Sequence, residues 1–469
     1  MRKYLLSFCL LFCLCSSDYA QKIQYSRGTF QVMDPDETQL VSDIKGYHHV
    51  LSFTYNQKPS ICIFDPQLQL KEKKKLDFTI RKDCDIKVLP FANHYFVYMY
   101  FFKPSAHQIW KVDEKGNAVS FSNKLQEIAD SFFKNYEVPL QLTNVDGGLY
   151  FTANTYFDTL KSIRSTIVQL DEELNVLNVE KVLFPFDRNR ETLQQTSFTG
   201  NAIFILKTSR DNQKGNTLDV IKVNLATDRI INYSVNTGFH SYWAPAFVLN
   251  KKDSSLLVYS MLMERGQRTL LITRLDNELQ ELSPTTLLKS LFRQNVASNF
   301  ITVQGKQPLW LNMAGSRRLQ RVSGVRLYSD NFNSINREMS TYGYTDYYTG
   351  RNQPTAIRFT LLNEEFKFKK DSLVENDKKI IEVPSYPFGQ FSTGTNTYLV
   401  LMHNFTVKRK GLLLMSADSN DKLSVRPLPV YDRFDYLLNQ LRSGDKNYFI
   451  VPYTSKNEMG LLKVTMNEN

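Results

Sequence analysis

The side chains able to do chemistry are few and scattered. Among six histidines only His48 and His49 adjoin. A neighbouring pair is where a zinc site would begin. Successive residues of a strand point to opposite faces, so a regular strand cannot turn both rings to one ion. The pair therefore reads as ordinary strand residues. Asp418-Ser419-Asn420-Asp421 and Asp34-Pro35-Asp36-Glu37 bunch oxygen donors as calcium loops do. Neither has the spacing or the glycine of an EF-hand loop, and turn chemistry accounts for both. No Gly-x-Ser-x-Gly elbow, His-Glu-x-x-His pair or phosphate-cradling loop occurs. The sequence names no catalytic residue, no metal ligand and no cofactor.

One segment is better suited to recognition than to turnover. Tyr342-Gly343-Tyr344-Thr345-Asp346-Tyr347-Tyr348-Thr349-Gly350-Arg351 places four tyrosines among glycine and threonine. A tyrosine offers apolar area with a polar tip and few rotatable bonds, which suits contact with sugars or proteins. Tyr342, Tyr344, Tyr347, Tyr348 and Arg351 are the candidate binding residues. The competing reading is a loop packed over the surface with its hydroxyls in water.

These groups need a scaffold, and the scaffold repeats. An apolar strand is followed by a polar turn. A second strand then ends in apolar-x-apolar, often with Asp or Asn next and an apolar residue shortly after. Ile61-Cys62-Ile63-Phe64-Asp65 leads to Leu68, and Ile109-Trp110-Lys111-Val112-Asp113 leads to a Lys-Gly turn. Ile167-Val168-Gln169-Leu170-Asp171 leads to Leu174, and Val220-Ile221-Lys222-Val223-Asn224 to Leu225. Leu271-Ile272-Thr273-Arg274-Leu275-Asp276 leads to Leu279. Val325-Arg326-Leu327-Tyr328-Ser329-Asp330, Leu412–Met415 and Leu461–Val464 extend the series. Each has an apolar strand upstream, as antiparallel hairpins do. The steps from Asp65 through Asp113, Asp171, Asn224, Asp276 and Asp330 are 48, 58, 53, 52 and 54 residues. The recurrent Asp reads as a turn residue that bonds nearby backbone N–H groups.

That spacing predicts an all-β chain, a β-propeller of seven to eight four-stranded blades, with eight preferred. Stacking blades buries sheet faces that one sheet alone leaves wet. Residues 21–469 form the propeller domain, with 333–388 as an insertion or irregular blade material. The segment around Gln24–Val32 is placed to supply the outer strand of the last hairpin. Two or three short helices are expected in blade connections. Ser122 or Asn123 caps the first, with Leu125, Ile128, Ala129 and Phe132 on one face. Ser283 caps the second, with Pro284 at its first position and Leu287, Leu288 and Leu291 on one side. The third lies around Asp435–Leu441.

Residues 1–20 read as a secretory signal peptide. Arg2 and Lys3 precede an apolar run from Leu5 to Leu14, with Ala20 at the cut. The run is too short for an ordinary transmembrane helix, and no later one is longer. Lipid attachment at Cys15 is a minor alternative, because Phe12 and Leu14 hold positions where such sites use small residues. The destination is the periplasm, the cell surface or the medium. Cys62 and Cys84 remain in the mature chain. An oxidising compartment permits a disulfide between them, and two buried thiols are the equal alternative. The formal charge of +11 is spread along the chain, in clusters such as Lys73-Lys74-Lys75 that fall between strands. A nucleic-acid binder concentrates its basic residues on one element, so that class is set aside.

The repeat, the leader ending at Ala20-Gln21 and the chain length resemble exported bacterial β-propeller proteins. The chain lacks the repeated Trp-Asp, Gly-Gly and Ser-x-Asp-x-Gly boxes of named propeller subfamilies, and Asp146-Gly147-Gly148 occurs once. Fold alone does not give function. The leading expectation is a non-catalytic exported propeller that binds a glycan or a protein partner. The alternative is a carbohydrate-active lyase or hydrolase, its site at the central channel mouth.

Overall fold

The computed structural model describes residues 22–33, 38–54, 56–81, 84–102, 105–133, 141–145, 147–199, 201–211, 215–236, 238, 241–249, 255–264, 267–289, 296–302, 309–315, 354–362, 368–375, 388–393, 396–406, 409–417, 423–443 and 447–466. The fold is a β-propeller built from antiparallel sheets. Seven have four strands and one has six. The chain divides into two compact units.

Three sheets lie in the first unit. One consists of Thr38–Ile44, Tyr47–Ser52, Ser60–Phe64 and Leu70–Lys75 in chain order. A second consists of Phe388–Thr393, Asn396–Thr406, Arg409–Ala417 and Leu423–Leu428. The six-stranded sheet is centred on Tyr448–Ser455 and Glu458–Thr465. Its outer strand comes from the far end of the sequence, because Lys22–Tyr25 pairs with Glu458–Thr465, Tyr25 opposite Leu462. The segment around Gln24–Val32 thus takes the outer position its place in the chain suggests.

Five sheets lie in the second unit. Cys84–Pro90, His94–Phe102, Ser105–Asp113 and Ala118–Ser120 form the first. The next three run Gln141–Val145 to Val176–Pro185, Glu191–Thr199 to Ile230–Asn236, and Ser241–Leu249 to Glu281–Lys289. The last pairs Leu309–Gly315 with Val296–Thr302 and Pro354–Leu362, and Phe368–Glu375 lies at its edge.

Alternation along each strand explains the stacking. Phe204, Leu206, Leu218 and Val220 face Phe247, Val258, Leu262 and Leu271 of the next sheet. The opposite face of that strand pair turns Ile203, Ile205, Ile221 and Val223 toward Ile163, Ile167, Val182 and Phe184. Both faces of one sheet are therefore core, and each buried Leu, Ile or Phe contributes roughly 1.5–3 kcal/mol. In the first unit Val50, Cys62 and Phe64 pack on Ile450 and Leu461 in the same manner.

The recurrent Asp works as its turn chemistry predicts. Asp65 Oδ1 accepts the N–H groups of Gln67 (3.0 Å) and Gln69 (2.8 Å). Asp113 does so for Lys115 and Asn117, Asp171 for Glu173 and Asn175, and Asp276 for Glu278 and Gln280, all within 2.7–2.9 Å. Three residues past each Asp the backbone turns left-handed, at Leu68 (φ 58°), Gly116 (68°), Leu174 (55°) and Leu279 (57°). Glycine is the ordinary occupant there, and another residue costs about 1–3 kcal/mol. The three leucines are buried. Burying a leucine returns about 1.5–3 kcal/mol, enough to offset the strain. A lysine two residues before the turn then ties two sheets together. Lys111 Nζ donates to Glu173 Oε1 (2.6 Å) and the Glu172 carbonyl (3.3 Å) of the next sheet. Lys222 Nζ does the same with Glu278 Oε1 (2.9 Å) and the Asn277 carbonyl (2.6 Å).

Several expectations need correction. No helix begins at Ser283: Glu281–Lys289 is a strand beside Gln267–Leu275, and Leu291 lies outside the described residues. Leu282 and Leu287 are exposed and Ser283 is buried, so the leucine spacing marked no helical face. Pro284 is tolerated because this is the sheet's edge strand, where a missing N–H costs no ladder bond. Helix α1, Ser122–Phe132, is present, but Phe121 holds its N-cap position and no side chain caps it. The Ser122 hydroxyl is tied instead to the backbone of Ile109. The stretch around Asp435–Leu441 is a two-residue strand followed by one 3-10 turn, Leu438–Gln440. The hairpin partner of Leu309–Gly315 is Pro354–Leu362, and Val325–Asp330 lies outside the described residues. Of the two alternatives for Cys62 and Cys84, each cysteine is a buried thiol within its own unit. Burial pushes the Cys62 thiol up to about 12, and Cys84 Sγ donates to the Arg81 carbonyl (3.0 Å). Among the described residues no helix is long and apolar enough to cross a membrane.

Candidate functional site

The six-stranded sheet carries five aromatic rings toward the turn between Ser455 and Glu458. Register sets most of them. Tyr436 lies opposite Tyr453, and Tyr453 opposite Gly460. Tyr25 enters from the outer strand, opposite Leu462. Tyr431 and Phe434 precede the strand Asp435–Tyr436. Phe434 stacks on Tyr453 with ring centroids 4.4 Å apart. Tyr25 meets Tyr453 edge-on at 5.4 Å and Tyr431 at 4.6 Å with a 35° tilt. Tyr436 and Tyr453 are buried, Tyr25 and Phe434 half-buried. Tyr431 is 61% exposed.

Gly460 makes this packing fit. A Cβ there would lie 2.5 Å from Tyr453 Oη and 2.7 Å from Ser26 Oγ. The hydrogen at that position leaves room for the Tyr453 hydroxyl beside Ser26. Ser26 is itself fixed, because its Oγ accepts the Leu461 N–H (3.1 Å) and its own N–H donates to the Leu461 carbonyl (2.8 Å).

Three hydrogen bonds form a closed circuit under the exposed ring. The Tyr431 N–H donates to Tyr25 Oη (2.8 Å). Tyr436 Oη donates to the Tyr431 carbonyl (3.0 Å). The Tyr436 proton is thereby used, so Tyr25 supplies the proton of the Tyr25–Tyr436 hydroxyl contact (3.0 Å). Both backbone groups of Tyr431 are thus held by side chains from two strands more than 400 positions apart in sequence. Burial raises the Tyr436 hydroxyl well above the ordinary tyrosine value, and its contact with Tyr25 adds to this. Burial also raises Tyr25, against the lowering effect of its hydrogen bonds. Both hydroxyls stay protonated, which the circuit requires.

The rim is mixed in charge. Asp432 and Arg433 are exposed, and Asp435 is half-buried opposite Thr454. Glu458 accepts the Thr29 hydroxyl (3.0 Å) at the surface. The hydroxyls of Tyr25 and Tyr436 are engaged with one another and with the backbone of Tyr431.

Tyr342, Tyr344, Tyr347, Tyr348 and Arg351 lie outside the described residues, as do both candidate calcium fragments. His48 and His49 are buried strand residues, opposite Phe64 and Ile63. Burial holds the His48 imidazole down at about 4, with Lys463 next in effect. Among the described residues no group of three His, Cys, Asp or Glu side chains is placed to hold a metal. The ring cluster escaped the sequence reading because its members come from both ends of the chain. The available signal was Tyr431, Phe434 and Tyr436 within six residues of Asp and Arg.

No protein-family model matches the chain, and no curated protein does. Solved structures similar to it include a mutant of the Synechocystis apocarotenoid oxygenase, at 9% identity and TM-score 0.36 over 96% of each chain. The β-propeller domain of the Trilobed protease from Pyrococcus furiosus matches at 9% identity and TM-score 0.36, over 83% of this chain and 99% of that one. A subtype N10 neuraminidase-like protein of A/little yellow-shouldered bat/Guatemala/060/2010 matches at 6% identity and TM-score 0.30, over 82% and 96%. Likenesses this distant carry no argument about chemistry.

Proposed function

We propose that this chain is an exported, non-catalytic recognition module, and that Tyr431 is the contact point for its ligand. One observation carries the reading. An exposed aromatic ring sits on a backbone whose N–H and C=O are both clamped by tyrosine hydroxyls, those of half-buried Tyr25 and buried Tyr436. Rigidity before binding removes the ordering cost that a mobile loop would carry, about 0.5–1.5 kcal/mol per side chain. Tyrosine is also the residue that gives contact area with least entropy loss. The leader at residues 1–20 supports export, where glycans and surface proteins are the available ligands.

The test is a paired array of immobilised glycans and of peptides, probed with the mature protein and its Tyr431→Ala variant. Signals given by the parent protein should vanish in Tyr431→Ala while the melting temperature stays unchanged. Tyr436→Phe keeps the ring and breaks the circuit, so its signals should weaken without vanishing. Binding that is indifferent to Tyr431→Ala overturns the assignment of the site.

A further inference from the structure

We infer that the Tyr431 ledge takes a neutral pyranose unit of a glycan, laid by its C–H face on the outer face of the Tyr431 ring. The inference rests on the recognition reading above and adds the ligand's chemical class. Three features of the ledge select it.

The first is shape. Tyr25 lies 4.6 Å from Tyr431 on one side and Phe434 meets it edge-on at 5.6 Å. The ring is therefore backed and flanked, and presents a platform rather than a projecting knob. A flat platform matches the flat C–H face of a sugar ring, whereas a protein hot spot is a side chain that fills a pocket.

The second is charge. The whole chain is basic, at +11, but the rim is not. Asp432, Asp435 and Glu458 stand against Arg433 and Lys456. Sulfated or uronic glycans are held by clusters of Arg and Lys, and the residues beside the ring, Asp432, Arg433 and Asp435, include one basic group. Acidic and basic groups mixed in this way also do not select a polycation. A neutral ligand meets no net penalty from such a rim, and carboxylates accept hydrogen bonds from sugar hydroxyls.

The third is the support. The circuit of Tyr25, Tyr436 and the Tyr431 backbone fixes the platform before the ligand arrives. Single sugar units bring little area, so such a site gains most from a surface already in place.

The experiment is calorimetric titration of the mature protein with neutral oligosaccharides of the cello, malto, manno and galacto series. Heparin, polygalacturonate and chitosan serve as charged probes. Binding to one neutral series is expected, insensitive to added salt because no ion pair is screened. Tyr431→Ala should weaken it about tenfold or more, and Tyr431→Phe should leave it nearly unchanged. Salt-sensitive, Tyr431-dependent binding of a charged glycan, or Tyr431-dependent binding of peptides alone, overturns the sugar class and leaves the ledge as the site. Neutral-sugar binding unaffected by Tyr431→Ala overturns the ledge itself. Absence of binding to every neutral series overturns the class.

Discussion

Where the third strand of a sheet turns into the fourth, Asp65, Asp113, Asp171 and Asp276 repeat one geometry in sheet after sheet. Toward the other end of the six-stranded sheet, Tyr25, Tyr431, Phe434, Tyr436 and Tyr453 make an arrangement described once. The turns use their polar atoms on the backbone next to them and bury a leucine or bend at a glycine. The ring cluster uses its polar atoms to hold a residue outward. Repetition in the first region follows from a problem every sheet shares, which is closing a hairpin. The second region does something else: it holds one ring at the surface, and the recognition reading rests on that.

The contrast can be broken at its strongest point by altering a turn leucine. Leu174→Ala should cost about 2–5 kcal/mol through lost burial. Leu174→Gly removes still more side chain, yet glycine accepts the left-handed backbone. The glycine variant should therefore be the more stable of the two by about 1 kcal/mol. Denaturant midpoints decide it, and an alanine variant equal to or above the glycine one would sink the strain argument. Next in size is Gly460→Ala, which drives a methyl against Tyr453 Oη. Overpacking of this kind costs about 1–3 kcal/mol. It should also lower ligand binding, because the Phe434–Tyr453 stack shifts with it.

Asp65→Ala tests whether the turn carboxylate matters beyond shape. Loss of the two N–H bonds and of the Lys71 contact (3.0 Å) should cost about 1–2 kcal/mol near neutral pH. Burial alone would raise the Asp65 carboxyl, but the Gln69 N–H, Lys71 and the Gln67 N–H hold it below the ordinary value. A group depressed on folding stabilises above its unfolded value, near pH 4, and that contribution is lost as pH falls through the folded value. The difference between parent and Asp65→Ala should therefore shrink in acid.

The histidines give a second pH window. Burial brings His48 and His107 to about 4. In the unfolded chain they take protons from about pH 6.5 downward. Their neutral, buried forms thus stabilise fully above that value, and stability declines between about 6.5 and 4. His107 Nδ1 shares a hydrogen bond with the Tyr98 hydroxyl (2.9 Å) in a nest of Tyr100 and Phe151. Melting curves of His107→Gln should show a shallower slope over this range, and an unchanged slope would remove His107 from the account. The smallest effect on stability belongs to Tyr431→Ala, within about 0.5 kcal/mol, even though it should have the largest effect on binding.

The repeat was legible because one local rule, apolar-x-apolar followed by Asp and then a buried residue, recurs within reach of its own hydrogen bonds. His48 and His49 were also legible, since strand alternation alone parts them. Ser283–Leu291 misled because Leu287, Leu288 and Leu291 satisfy a helical spacing while the neighbouring strand Gln267–Leu275 decides the outcome. Tertiary pairing overrides such a pattern. The ledge was not legible, because Tyr25 and Tyr431 become neighbours only through the pairing of Lys22–Tyr25 with Glu458–Thr465. No window along the chain contains both.

That same pairing has a consequence for synthesis. Lys22 meets Thr465, so the earlier segment must wait for one made 443 residues later. At about 5–20 residues per second the wait is roughly 20–90 s. Meanwhile the outer strand Lys22–Tyr25 has no partner. An uncovered sheet edge templates the wrong chain as readily as the right one. The yield of this protein should therefore depend on the chains around it while it folds, more than its finished stability would suggest.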